Sequence, residues 1–199
     1  MGPPGPLRTL ASSLLLLTFA ASAVLPLAGC VAAAVAGAAA TVMVATDRRS
    51  TGAQVDDESI ELKIAKALTD KYGSDVHVNA TSYNGIVLLT GEVPSTVVQD
   101  EITQLAKSTD RVRLVENDTT IGAVADFNSR ANDTATTGKV KARMIEAAKF
   151  APNHVKVVTE RGVVYLMGIV TRQEGDDAAQ IAATTAGVAR VVKVFEYMN

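Results

Sequence analysis

DVHVNATSYNGIVLLTGEV, residues 75–93, aligns without gaps with PNHVKVVTERGVVYLMGIV, residues 152–170. Seven of the nineteen positions are identical, and each identical pair lies 77 residues apart. Further along the chain the spacing shortens to 76, which aligns Val112 with Val188 and Val115 with Val191. Self-similarity at a fixed spacing is the sequence signature of duplicated modules. The chain therefore contains two copies of one small domain.

Each copy has the periodicity of a helix, two strands, a second helix and a third strand. In the first copy, the predicted elements are residues 57–71, 77–82, 85–90, 94–107 and 111–116. In the second copy, they are residues 136–149, 155–159, 162–170, 172–185 and 189–197. The sequence predicts an α+β fold in which each copy is αββαβ, with a three-stranded sheet packed by two helices on one face. Because a domain of this size has a small core, we expect the two copies to pack together.

Tight turns and helix ends have recognisable residues in this pattern. Asn84-Gly85 is a turn pair that supplies the positive φ angles of a tight hairpin, and Glu160-Arg161-Gly162 occupies the same place in the second copy. Asp56 and Asp57 suit the amino-terminal end of the first helix, where we expect solvated carboxylates. Asp176-Asp177 is interpreted in the same way.

The amino-terminal region has the order of a secretory leader: a positive charge at Arg8, an apolar run from Leu10 to Leu27, and small residues. Leu27-Ala28-Gly29-Cys30 resembles the lipobox of bacterial lipoproteins, which implies cleavage before Cys30 and lipidation of its thiol. An uncleaved anchor and a free structural cysteine are the alternatives. Cys30 is the only cysteine, so no disulfide can form within the chain. By resemblance to enterobacterial sorting rules, Val31 favours the outer membrane.

These features divide the chain into five predicted segments. They are a signal peptide (1–29), the lipidated cysteine with an Ala-rich tether (30–55), the first copy (56–122), a polar linker (123–132) and the second copy (133–199). The first copy holds six basic and twelve acidic residues, a net charge of −6, whereas the second holds nine and seven, a net charge of +2. Anionic lipid attracts basic residues and repels acidic ones, so the second copy is the better candidate for touching a membrane.

No catalytic or metal-binding pattern stands out, and we expect no enzyme, cofactor, metal or nucleic-acid partner. His77 and His154 occupy equivalent positions of the repeat, which favours a structural role for both. There is no second cysteine for a metal and no His-x-x-Glu-type motif. Gly85, Gly91 and their repeat partners lie at the ends of apolar strands, so turn and strand packing explains them.

The first helix of the second copy carries the most specific prediction. Val140, Met144, Ala147 and Ala151 form an apolar stripe that should pack on the sheet. Ile145 lies off this stripe, beside Lys141 and Lys149, and Lys139 and Arg143 come from the same segment. A large aliphatic side chain among lysines suits shallow insertion into lipid headgroups. The alternative is that Ile145 tops the core, as we expect of Leu68 in the first copy.

Gly-(Ile/Val)-Val-x-Leu-x-Gly-x-Val after an amphipathic helix and a short strand resembles the BON domain, a bacterial αββαβ module. A lipobox followed by two such domains resembles the dual-BON-domain outer-membrane lipoproteins of the DolP family. Residues 45–50 (ATDRRS), 55–57 (VDD) and 164–168 (VYLMG) support this narrower match. The resemblance implies a lipid-anchored protein on the periplasmic face of the outer membrane that binds anionic phospholipid, supports envelope integrity and gathers at division sites.

In that family the lipid contact is carried by the first helix of the second domain, with a tryptophan near its start and an aliphatic residue further along. The tryptophan position falls at Ala135, this chain has no tryptophan, and Ile145 matches the aliphatic position. Phe150 and Tyr165 are candidates to replace the missing aromatic ring, and the alternative is that both are core residues. The predicted lipid-binding residues are thus Ala135, Lys139, Lys141, Arg143, Ile145 and Lys149. An alternative function is a periplasmic adaptor that binds envelope-assembly or cell-wall proteins through the acidic first domain.

Overall fold

The computed structural model describes residues 47–198, so the predicted signal peptide, Cys30 and most of the tether lie outside the described residues. The first copy consists of α1 (Thr51–Tyr72), β1 (His77–Tyr83), β2 (Ile86–Val93), α2 (Thr96–Lys107), β3 (Leu114–Asn117) and β4 (Thr120–Ile121). The second consists of α3 (Phe127–Ala147), a 3₁₀ turn (Pro152–His154), β5 (Lys156–Glu160), β6 (Val163–Val170), α4 (Arg172–Ala183) and β7 (Arg190–Tyr197). The predicted α+β fold with two αββαβ copies is confirmed.

The second strand of each copy is the centre of its sheet. β2 pairs antiparallel with β1 and parallel with β3, and β4 continues along the same edge of β2 after β3 has ended. In the second copy, β6 pairs antiparallel with β5 and parallel with β7. Asn84 and Gly85 have φ angles of 52° and 75°, and Arg161 and Gly162 have angles of 50° and 75°. Both hairpins therefore turn where the sequence predicts, with a left-handed pair of residues.

Each sheet is covered on both faces. The sequence predicts packing only on the face that carries the helices. Along β2, Val87, Leu89 and Val93 face the helices of the first copy. The alternate residues of the central strands point the other way, and a cluster of Tyr83, Leu88, Tyr165 and Met167 joins the two sheets. The order of layers is helices, sheet, sheet, helices, so the two copies pack together through their sheets.

The prediction for Asp57 was wrong, because α1 begins two turns earlier than expected. Ser50 caps the helix by accepting a hydrogen bond from the Ala53 amide. Asp57 is consequently inside the helix and buried, and its carboxylate accepts hydrogen bonds from Ser82 Oγ (2.6 Å) and from the amides of Asn84 (2.7 Å) and Gly85 (2.8 Å). In this position Asp57 connects α1 to the first hairpin turn. The sequence alone predicts a carboxylate in solvent.

The start of α3 also differs from the prediction. Asp126 caps the helix through the Ser129 amide, and helical structure begins at Phe127 rather than at Thr136. Most of the predicted polar linker is therefore the first turns of α3. At the other end the helix stops at Ala147, because Ala148 adopts a left-handed conformation (φ 49°), so Lys149 lies beyond it.

Candidate membrane-binding surface

One side of α3 is set by its packing on the second sheet. Its buried residues are Asp133, Thr136, Val140 and Met144. Each lies 76 residues after a buried residue of α1, namely Asp57, Ile60, Ile64 and Leu68. Leu68 therefore corresponds to Met144 and not to Ile145, so the alternative that Ile145 tops the core is wrong. The predicted stripe holds for Val140 and Met144 but not for Ala147, which is exposed.

The opposite side of α3 is an exposed apolar ridge, which we define as Phe127, Ala131, Gly138, Ala142 and Ile145. Phe127 and Ile145 are 75% and 59% exposed, and the three small residues between them are exposed as well. Phe127 and Ile145 are five helical turns apart, so their side chains point in the same direction from positions about 27 Å apart. Because these three residues are small, a surface that contacts the ridge can approach the helix backbone closely.

Sequence reasoning missed Phe127, because this residue was assigned to the linker. Extending the helical period backwards from Ile145 would have found it, since both residues fall at the same angle on the helix. The two suggested replacements for the missing tryptophan were wrong: Phe150 belongs to the core of the second copy, and Tyr165 is buried between the sheets. Phe127 is the exposed aromatic residue of α3.

The predicted basic residues lie in different environments. Lys139 and Lys141 are exposed on α3, and Ala135 is exposed beside the ridge. Arg143, by contrast, turns toward α4 and donates hydrogen bonds to the Ile181 carbonyl (3.1 Å) and Thr185 Oγ1 (2.9 Å). Lys149 lies beyond the helix and pairs with Asp177 at 2.6 Å. Of the predicted basic residues, Lys139 and Lys141 therefore lie near the ridge. Arg143 instead stabilises the packing of α3 on α4.

Residues 47–49 contact both copies just before α1 begins. Arg48 forms two hydrogen bonds with the Glu174 carboxylate (2.7 and 2.8 Å) and a third with the Ile169 carbonyl (2.9 Å). Arg49 pairs with Asp57 at 2.9 Å, and its guanidinium lies 4.1 Å from the centre of the Tyr83 ring. Residues 47–49, which lie within the predicted tether, are thus held against the folded domains by two arginines.

The contact between Arg48 and Glu174 predicts that the folded protein becomes less stable in acid. The hydrogen bonds from Arg48 lower the pKa of Glu174 from 4.5 to about 2. Because the folded-state value is depressed, the stabilisation is complete above about pH 4.5 and is lost as the pH falls towards 2. We expect the melting temperature of the wild-type protein to fall more steeply over this interval than that of Glu174→Gln, measured by circular dichroism. Identical pH profiles would contradict this role.

Among residues 47–198, no helix is long and apolar enough to cross a membrane.

The family model of the BON domain matches residues 56–123 and 132–199, which correspond closely to the two copies. The class of protein defined by this fold is thus the BON-domain proteins.

Individual relatives narrow the class. Outer membrane lipoprotein DolP of Haemophilus influenzae is 41% identical over 175 residues, 87% of this chain and 91% of the relative. The 21 kDa hemolysin of Actinobacillus pleuropneumoniae is 31% identical (77% of this chain, 80% of the relative), and osmotically-inducible protein Y of Escherichia coli is 33% identical (69% and 70%). This chain belongs to the BON-domain family and, within it, to the two-domain proteins that resemble DolP.

Among solved structures, the C-terminal domain of CdsD, the structural protein of the type III secretion system of Chlamydia trachomatis, aligns with 72% of this chain and 67% of its own. The identity is 15% and the TM-score 0.29, too low to support any inference.

Proposed function

We propose that this protein is an outer-membrane lipoprotein that is anchored through Cys30 at the periplasmic face and binds anionic phospholipid through α3 of its second BON domain. The anchor is supported by the Leu-Ala-Gly-Cys motif and by the lipoprotein named among its relatives. The lipid contact is supported above all by the exposed ridge of α3, because apolar residues that share one face and are bordered by polar ones are typical of a membrane or protein contact.

The ridge suits the headgroup layer of a membrane. Phe127 and Ile145 would enter the boundary between headgroups and acyl chains, where aromatic and aliphatic side chains are stabilised. Lys141 lies about 40° from Ile145 around the helix and would contact lipid phosphates, at a gain of about 1 kcal/mol for each basic residue near the surface. Phe127 would be the aromatic residue that contacts lipid, as the tryptophan is in the DolP family. Phe127 lies two turns before Ala135, the position of that tryptophan.

In this role the protein would support envelope integrity by holding a folded module against the inner surface of the outer membrane. The resemblance to the DolP family extends the proposal to division sites, where a fluorescent fusion would test it by imaging. No catalytic role is proposed, since the DolP-like BON proteins are not a known enzyme family.

Lipid binding can be measured by flotation of residues 46–199 with vesicles of phosphatidylglycerol and phosphatidylcholine. This fragment contains both sheets and the clusters that pack on them. Ile145→Glu and Phe127→Glu should each reduce the bound fraction severely, because each removes an inserting side chain and adds a negative charge. Lys141→Glu should weaken binding about tenfold, since one attraction is replaced by one repulsion.

The matched control is Leu62→Glu, because Leu62 is 66% exposed on α1, in the acidic first domain. This variant should bind vesicles as the wild type does. The proposal fails if binding is independent of phosphatidylglycerol content or survives Ile145→Glu.

An adaptor role of the first domain is the second candidate. Val55 and Leu62 are exposed on one face of α1, two turns apart, and Val97 is exposed at the start of α2. Apolar side chains on a strongly acidic domain suit a protein partner with basic residues around an apolar centre, such as an envelope-assembly or cell-wall factor. Photo-cross-linking from Leu62, compared with cross-linking from Ile145, would separate a protein partner from a lipid surface.

A further inference from the structure

Three potential metal ligands meet where the two sheets face each other. His77 begins β1, Glu92 lies near the end of β2, and Glu160 ends β5 of the second copy. One ligand atom from each of these side chains lies within 4.8 Å of the others, and His77 Nδ1 is 3.0 Å from Glu92 Oε2. Both glutamates are buried, Glu92 with 1% and Glu160 with 8% of its surface exposed. Buried carboxylates of this kind are rare unless they are paired or bind a metal.

The carboxylate of Glu92 is incompletely satisfied. Its Oε1 atom is fully buried and accepts no hydrogen bond from residues 47–198. The Arg161 guanidinium approaches this atom only to 3.5 Å, and the arginine side chain is 47% exposed. Leaving a buried charged oxygen without a hydrogen bond is unfavourable, because the oxygen has lost its contact with water and has gained no donor in return. A ligand atom or ion that approaches Oε1 would remove this cost.

The carboxylate of Glu160 lies beside that of Glu92 and is also poorly hydrogen-bonded. Asn79 Nδ2 is its hydrogen-bond donor, at the long distance of 3.3 Å. A cavity of about 410 Å³ is lined by residues that include His77 and Glu160, so these two ligands can be reached from outside, whereas Glu92 lies behind them.

Of the three ligand positions, the repeat retains only the histidine. His154 is the repeat partner of His77, but the position equivalent to Glu92 is Ile169. The position equivalent to Glu160 in the first copy is Tyr83. His154 Nδ1 lies 3.5 Å from the Glu174 carboxylate, so both copies have a histidine–carboxylate contact. Among residues 47–198, only His77 has two buried glutamates around it in one group of three potential ligands.

We propose that His77, Glu92 and Glu160 bind a divalent transition-metal ion of the Zn²⁺ class between the two BON domains. One imidazole nitrogen and two carboxylates form a ligand set that Zn²⁺ accepts, whereas Ca²⁺ and Mg²⁺ prefer oxygen ligands alone. Ligands at about 2.0 Å from a tetrahedral Zn²⁺ lie roughly 3.3 Å from one another, so small rotations of the two glutamates complete the site. Arg161 has an exposed side chain that can withdraw as the ion replaces its charge.

The bound ion would fasten the two domains to each other. His77 and Glu92 belong to the first sheet and Glu160 to the second, so one ion bridges the contact between the sheets. A ligand that binds only the folded arrangement stabilises it in proportion to the logarithm of its concentration. The melting temperature should therefore rise with Zn²⁺ and remain unchanged with Mg²⁺.

The test uses the full chain with Cys30→Ser, in detergent micelles, so that no thiol competes for the metal. Competition with a chromogenic chelator should show one Zn²⁺ bound per chain, and Co²⁺ should give a visible absorption band. Glu92→Gln, Glu160→Gln and His77→Gln should each weaken Zn²⁺ binding by more than about 100-fold, since changes outside the ligand sphere already cost about 10- to 100-fold. The matched control, His154→Gln, should bind Zn²⁺ as the parent does.

A second measurement does not depend on whether the variants fold. In a nuclear magnetic resonance titration of the parent chain, Zn²⁺ should shift the ring resonances of His77 and leave those of His154 in place. The proposal is overturned if Zn²⁺ does not bind, if binding survives Glu92→Gln, or if His154 responds in place of His77. Because vesicle flotation does not involve these residues, the metal site and the lipid-binding surface can each fail separately.

Discussion

Gly91→Ala should destabilise the first domain by roughly 3–5 kcal/mol. Gly168→Ala should destabilise the second domain by about 1–3 kcal/mol, because only the overpacking cost applies there. A Cβ atom on Gly91 would lie 2.0 Å from the His77 carbonyl oxygen, and one on Gly168 would lie 2.2 Å from that of His154. Both oxygens belong to backbone of the segment beside the central strand, so relief requires that the backbone there moves apart. Overpacking of this kind costs about 1–3 kcal/mol, and the φ angle of 113° at Gly91 adds about 1–3 kcal/mol for a residue with a side chain.

Such a loss is a large part of the 5–15 kcal/mol that typically stabilises a domain. Urea unfolding followed by circular dichroism measures it, and a separate early transition would show that one domain has unfolded before the other. The matched control is Gly138→Ala, because a Cβ atom there meets no atom within 4 Å and the residue lies inside α3. Gly138→Ala should raise stability by about 0.5–1 kcal/mol. Equal midpoints for Gly91→Ala and the wild type would contradict the close strand contact.

Asp57→Ala should cost about 3–5 kcal/mol, the usual effect of removing one partner from a buried ion pair. The change leaves Ser82 Oγ and the amides of Asn84 and Gly85 without their acceptor and separates Arg49 from its carboxylate. Chemical unfolding again gives the measurement. Asp70→Ala is the control, since Asp70 pairs with Lys66 on the surface of the same helix, where such pairs contribute about 0–1 kcal/mol.

The same variant has a defined pH dependence. Burial by itself would favour the neutral acid, but the hydrogen bonds from Ser82, Gly85, Asn84 and Arg49 lower the pKa of Asp57 below 3.8. The stabilisation is therefore complete above pH 3.8 and is lost as the pH falls through the folded-state value. The difference in unfolding free energy between wild type and Asp57→Ala should shrink in acid. A difference that stays constant below pH 3.8 would show that the carboxylate charge is not what stabilises the turn.

The proposed membrane-binding surface was partly predictable. Ile145 was expected off the core stripe, and it is exposed, because helical periodicity is a local property that the order of residues expresses directly. Phe127 was missed because Asn, Asp, Ser and Thr between it and Ile145 are typical of loops. These residues are helical here because Asp126 caps the helix and Asp133 and Thr136 face the rest of the second copy.

Asp57 was predicted as a surface charge because a carboxylate near an expected helix start is usually solvated. Its burial depends on the hairpin turn 82–85, whose donors approach the helix only after the sheet has packed on it.

The amino-acid sequence by itself determined the duplication, the αββαβ order and both hairpin turns, because each depends on residues that are neighbours along the chain or one repeat apart. Only the tertiary structure decided that the second face of each sheet is buried, that Asp57 holds a turn, and that His77, Glu92 and Glu160 meet. The physical reason is that these contacts join side chains from separate elements, and their energies arise only when the two domains lie against each other.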